Sequence, residues 1–299
     1  MPHSSIPRSL RVALIVASVA LTVASTGCTD DSAWQSDAGS LSRAKGTTSQ
    51  SSTESKNEAE TSSPGSTNDT NPRSTPVVVA STSWSAAFVR AAGVRTVTLI
   101  APVNAPHPPD YDPRPSDLAA LADADFVVLG GFEGFAPRMT EAAGSGAEVV
   151  TIKIDNSPET IRSQVRLLAE KFGTTRMAEL WIARFDRRVE RFQEQIAEVR
   201  PTPTPSVVAH TFMAPWVTFA GLELVGTYGP KPVTAAQLAE FTDLAPTMIF
   251  DNAHVQIGDA LADLDSERIK LVNFPSDSLD LIEVFDTNTR TIIKALKTL

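Results

Sequence analysis

The alternation of apolar and polar positions becomes regular at Pro76. VVVAS is a short, continuously apolar run that predicts a buried strand, and SWSAAFVRAAG then takes helical spacing up to a glycine. VRTVTLIAP predicts a second strand, and PSDLAALADAD a helix with Ser116 at its cap and Leu118 and Leu121 on one face. FVVLGG, FAPRMTEAAG and AEVVTIKI continue as strand, helix and strand. Short strands alternating with helices imply an open, mainly parallel sheet covered on both faces.

The period then changes. NSPETIRSQVRLLAEKFG has Ser157 as a cap, Pro158 at the first helical position and apolar residues at 161, 165, 168 and 172. TTRMAELWIARFDRRVERFQEQIAEVR carries the helix on through Leu180, Phe185, Val189, Phe192, Ile196 and Val199, with a possible nick at Gly173. PTPTP at 201–205 stops it. A second α/β unit follows: the strand SVVAH, a helical APWVTFAGLELVG, TAAQLAEFTDL, the strands TMIFDNAH and IKLVNF, and a last helix from about Asp280. The predicted class is α/β, two Rossmann-like lobes with mainly parallel sheets joined by one long helix. Its parts are a first lobe at 76–155, a connecting helix at 156–200 and a second lobe at 201–299.

The residues before this pattern read differently. Arg8 and Arg11 precede an apolar run from Val12 to Ala24, too short for a mature membrane span, and small residues lead to Cys28. Residues 1–28 are therefore expected to be a secretory signal ending in the lipobox-like ASTGC, with Cys28 lipidated as a membrane anchor. Ser25 stands where leucine is usual. Residues 29–75, rich in Ser, Thr and Asn, are expected to form a disordered tether. Cys28 is the one cysteine, so the exported part can make no internal disulfide and offers no thiolate ligand. The formal charge of −9 argues against nucleic acid as a partner.

Candidate chemistry lies in the histidines. Beyond the signal segment there are three, His107, His210 and His254, each at or just past the carboxyl end of a predicted strand. Open α/β sheets place their ligands there. Three imidazoles suit zinc, with a carboxylate as fourth ligand, and one more carboxylate would favour manganese. His107 stands in APVNAPHPPDYDPRP, where six prolines stiffen the fifteen residues from Ala101 to Pro115.

VVVASTSWSAAFVRAAG and LIAPVNAPHPPDYDPRPSDLAALADADFVVLGGFEGF resemble the first lobe of the zinc and manganese solute-binding lipoproteins of ABC importers. His107, Tyr111, Asp112, Pro113, Pro115 and Asp117 match a His-x-Tyr-(Glu/Asp)-Pro-x-Pro-x-Asp segment in type and order, with two further residues between His107 and Tyr111. HTFMAPWVTFAGLELVGTYG resembles the second-lobe segment in which a His or Glu ligand opens a helix, and His210 takes that place. The family's Asp-Pro-His-x-Trp segment is replaced by TIKIDNSPETIRSQV, and His254 is the expected substitute. For the family's late aspartate Asn273, Asp277 and Asp280 compete, with Asp277 favoured.

The resemblance implies a monomeric, extracytoplasmic binding protein that carries Zn, or alternatively Mn, to an ABC permease and is not an enzyme. A siderophore or corrinoid chelate is the alternative cargo, with Trp84, Phe132, Phe135 and Trp216 as candidate lining. A zinc hydrolase is less favoured, because no HExxH, GxSxG or P-loop motif is present.

Overall fold

The computed structural model describes residues 75–255 and 257–299, so the signal segment, Cys28 and the Ser/Thr-rich residues up to 74 lie outside the described residues. In the first lobe, the strands β1 (Val78–Ala80), β2 (Val97–Leu99), β3 (Phe126–Leu129) and β4 (Glu148–Thr151) form a parallel sheet in the order β2-β1-β3-β4. In the second, β5 (Ser206–His210), β6 (Glu223–Tyr228), β7 (Met248–Asn252) and β8 (Glu267–Leu271) repeat that order as β6-β5-β7-β8. In both sheets the winding reverses beside the first strand, which opens a crevice at the carboxyl ends of β1 and β3, and of β5 and β7.

Side-chain alternation along these strands sorts the core into layers. Val79, Val127 and Leu129 face an outer cluster with Leu121, Phe135 and Met139. Val208 and Ile249 face another with Tyr228, Phe241 and Leu261. The opposite faces, carrying Val78, Val128 and Val150 in one sheet and Val207, Ala209, Met248 and Phe250 in the other, join one shared core. The helices α1 (Ser83–Ala91), α4 (Pro158–Phe172), α5 (Thr175–Val199), α6 (Ala214–Phe219) and α8 (Leu281–Leu296) fill it. The remaining helices, α2 (Pro115–Leu118), α3 (Ala136–Ala143) and α7 (Ala235–Leu244), cover the outer faces.

The forty-residue helix expected at 156–200 is two helices. Gly173 adopts φ +69° and caps α4, and α5 then runs back along it, with Arg162 paired to Asp186 and Arg166 to Glu179. Helix α5 alone is the long connector, about 37 Å at 1.5 Å per residue. Its buried positions are Ala178, Ile182, Phe185, Val189, Phe192 and Ile196, spaced alternately by four and three. Leu180 lies off that stripe and is 61% exposed, contrary to its assignment to the apolar face.

Two further expectations are corrected. Ser116 lies inside α2, and the cap residue is Arg114, whose backbone N–H donates to Asp117 Oδ2 at 2.8 Å. The helix expected over APWVTFAGLELVG ends at Phe219, and the following Gly221 at φ +65° turns the chain so that Glu223–Tyr228 pairs with β5 as a strand.

The connecting helix joins the second lobe at Phe285 of α8. Its ring packs on Phe185 of α5 at 5.2 Å, Trp216 at 4.7 Å and Phe219 at 5.2 Å between centroids. Replacing it by alanine leaves a hole where three elements converge, and Phe285→Ala is expected to cost about 3–5 kcal/mol in urea unfolding. Gly173→Ala forces a Cβ into the left-handed region and is expected to cost about 1 kcal/mol by the same measurement.

Candidate metal centre

The loop that carries His107 is braced from several sides. Tyr111 donates its hydroxyl to Asp117 Oδ2 at 2.8 Å, and its ring meets Phe135 edge-on at 6.3 Å. Arg138 of α3 pairs with Asp112 and donates to the Pro113 carbonyl at 2.6 Å. Gly134 N–H donates to the Pro109 carbonyl at 3.1 Å, tying the loop to the turn after β3. His107 itself opens a 3₁₀ turn at Pro108–Asp110, and its Nδ1 lies 2.8 Å from Asp110 Oδ2. The two do not form a hydrogen bond, and Nδ1 is buried without a hydrogen-bond partner.

His254 comes from the second lobe, two residues past β7, where its backbone N–H donates to Asn252 Oδ1 at 2.9 Å. Its ring stacks on Phe274 with centroids 3.8 Å apart, and its Nε2 is buried without a hydrogen-bond partner. Burial, together with the charge that a protonated His107 would carry nearby, holds this imidazole below its ordinary pKa. It is therefore neutral, as a ligand must be. His254 lines a cavity of about 270 Å³ with Val103 of the first lobe and Phe274, Ser276 and Glu283 of the second.

His210 behaves differently. It is fully buried at the end of β5, and its Nδ1 accepts from the Phe212 N–H at 3.2 Å, capping the short turn that follows. An accepting Nδ1 places the neutral ring's proton on Nε2. That nitrogen has no partner and is packed so closely on Gly229 that a Cβ there would lie 2.7 Å away. Burial lowers the His210 pKa, and the neighbouring Asp251 opposes the shift. Asp251 accepts from Tyr228 Oη at 2.8 Å and from Arg268 Nε at 3.2 Å.

The structure thus puts His254 within electrostatic range of His107 and places His210 inside the second lobe. Among the described residues no three His, Cys, Asp or Glu side chains are gathered closely enough to hold a metal. Asp277 is exposed and enters no hydrogen bond or ion pair among the described residues. Asp280 caps α8, accepting from Ile282 N–H at 2.9 Å, and Asn273 accepts from Asn156 Nδ2 at 2.9 Å. The carboxylate sharing the His254 cavity is Glu283, which sequence reading passed over because an acid in a first helical turn needs only the helix dipole to explain it. Of the aromatic residues considered as lining, Trp84 reaches the seam, 6.3 Å from both Phe132 and Phe274. Phe135 and Trp216 are core.

Two backbone and side-chain bonds hold the Asp117 carboxylate below the usual range. A lowered folded pKa stabilises above the unfolded value, and that contribution disappears as pH falls through the folded one. The acid limb of the urea midpoint, below about pH 4, is accordingly expected to be steeper in the native chain than in Asp117→Asn.

Residues 78–171 match the family model "ZnuA: Zinc-uptake complex component A periplasmic". A crystal structure of ZnuA is similar at 18% identity and TM-score 0.56, over 74% of this chain and 99% of that one. FpvC from Pseudomonas aeruginosa in complex with Mn2+ gives 16% and 0.60, over 75% and 99%. A Mn-bound periplasmic metal-binding protein mutant from Candidatus Liberibacter asiaticus gives 14% and 0.58, over 74% and 99%. The resemblance read from the first-lobe segments is borne out: residues 78–171 match the zinc-uptake component A model, and the described chain has the two-lobed fold of these metal-binding proteins.

Proposed function

We propose that the protein captures a divalent transition metal, zinc or alternatively manganese, between its lobes and delivers it to an ABC permease. The observation that carries this reading is that His107 and His254, beyond strand ends of two different sheets, lie within electrostatic range of each other, each with a buried ring nitrogen that has no hydrogen-bond partner. Imidazole ligands favour zinc, Glu283 is the carboxylate that shares the His254 cavity, and Asp277 is the exposed alternative in the preceding loop. His210 would join the set by changing tautomer: the proton moves from Nε2 to Nδ1, which then releases the Phe212 N–H and leaves Nε2 bare. Lipidation of Cys28 would keep this monomeric carrier at the outer face of the cell membrane, and the chain has no enzymatic role.

A second cargo class has one observation in its favour. Trp84, Phe132 and Phe274 form an aromatic edge beside His254, suited to the flat face of a metal chelate.

Calorimetry on metal-stripped protein at neutral pH is expected to show stoichiometric zinc binding, weakened at least about tenfold by His107→Ala and by His254→Ala. Absence of zinc and manganese binding overturns the reading, and quenching of tryptophan emission by an iron-siderophore or corrinoid would then select the chelate. If His210→Ala binds zinc as the native chain does, His210 is a structural cap.

A further inference from the structure

The exposed side of α5, away from the shared core, opens with Met177, 47% exposed, and Leu180, 61% exposed, and continues on the same helical face with the exposed Arg184, Arg187 and Arg191. Two adjoining hollows of about 310 and 210 Å³ share Arg90, Trp181 and Arg184 as lining, and Arg95, Met177 and Leu180 extend the first of them. A chain of net charge −9 therefore concentrates arginine beside its exposed apolar side chains.

Nearby acids do not neutralise this patch. Asp280 lines one hollow but is engaged as the cap of α8, and Glu179 pairs with Arg166. Arg90 has a structural task, donating to the Ser278 carbonyl at 2.6 Å. Arg95 and Arg184 have no ion pair among the described residues, so a cap or pairing role does not account for them.

The patch also lies where the chain enters the fold. Strands β1 and β2 are parallel with Val78 beside Val97, so Pro76 and Arg95, each two residues earlier, lie at the same end of the sheet. This is the amino end, opposite the histidines. An anchor at Cys28 would keep the lobe within tether reach of a bilayer, where a face of this chemistry can act.

We infer that Arg95, Arg184, Met177 and Leu180 form a docking face for an anionic lipid surface, with guanidinium groups on headgroup phosphates and the apolar side chains at the interface. The inference rests on the reading of Cys28 as a membrane anchor and is independent of the metal. Bound in this way, the lobe would keep its histidine end directed away from the membrane while unengaged.

The test is sedimentation of the full chain with phosphatidylcholine vesicles and with vesicles containing phosphatidylglycerol, at low and high salt. Arg95→Gln/Arg184→Gln should lower the ratio of anionic to neutral partition about tenfold or more at low salt. Met177→Ser/Leu180→Ser should lower partition onto both, with helical circular dichroism unchanged. All chains share the same N-terminal residues, so a failure of lipidation at Cys28 lowers every partition and leaves the ratios intact. An unchanged ratio in the arginine variant overturns the inference. Loss of binding to polyglutamate with an unchanged vesicle ratio also overturns it, in favour of an acidic protein partner.

Discussion

Everything in this protein depends on one shared hydrophobic core. Two parallel sheets, each buried on both faces, turn one face toward the same set of helices, and α5 and α8 stitch them together around Phe285. Polar contacts reinforce the joint: Asn156 of the first lobe donates to Asn273 of the second in a buried bond, and Arg90 to the Ser278 carbonyl in an exposed one. Rigid opening of the lobes would expose apolar surface and break the buried pair, both costly. The less costly movement lies in the loops at the strand ends, where the candidate ligands sit.

The three histidines show how environment divides identical side chains. His107 is part-exposed with Asp110 close by, whereas His254 is stacked on an aromatic ring with a bare nitrogen. His210 is committed to the backbone that follows it. The opposite end of the first lobe carries the arginine face, giving this lobe one end suited to a cation and another suited to anions.

Much of the fold was legible because local chemistry and packing agree. Strand positions followed from short apolar runs, and Ser157 with Pro158 marked the start of α4 as expected, Ser157 Oγ accepting from Thr160 N–H at 3.2 Å. Errors arose where a local signal was ambiguous. Leu222, Leu224 and Val225 fit a helix or a strand, and only pairing with β5 decides between them. Leu180 fits a helical stripe until the stripe's true phase is set by Phe185, Val189 and Phe192.

By itself the sequence determined the alternation of strands and helices, the two-lobed α/β class and the position of His107, His210 and His254 at or beyond a strand's carboxyl end. These depend on residue order and on periodicities of two and 3.6, which neighbours along the chain express. The tertiary structure alone decided that His107 and His254 come within electrostatic range and that Val103 and Glu283 share the His254 cavity. Those facts arise from contacts between distant segments, whose distances are set by how helices of given length pack two sheets against one core, whereas the caps at His210 and Asp280 are local.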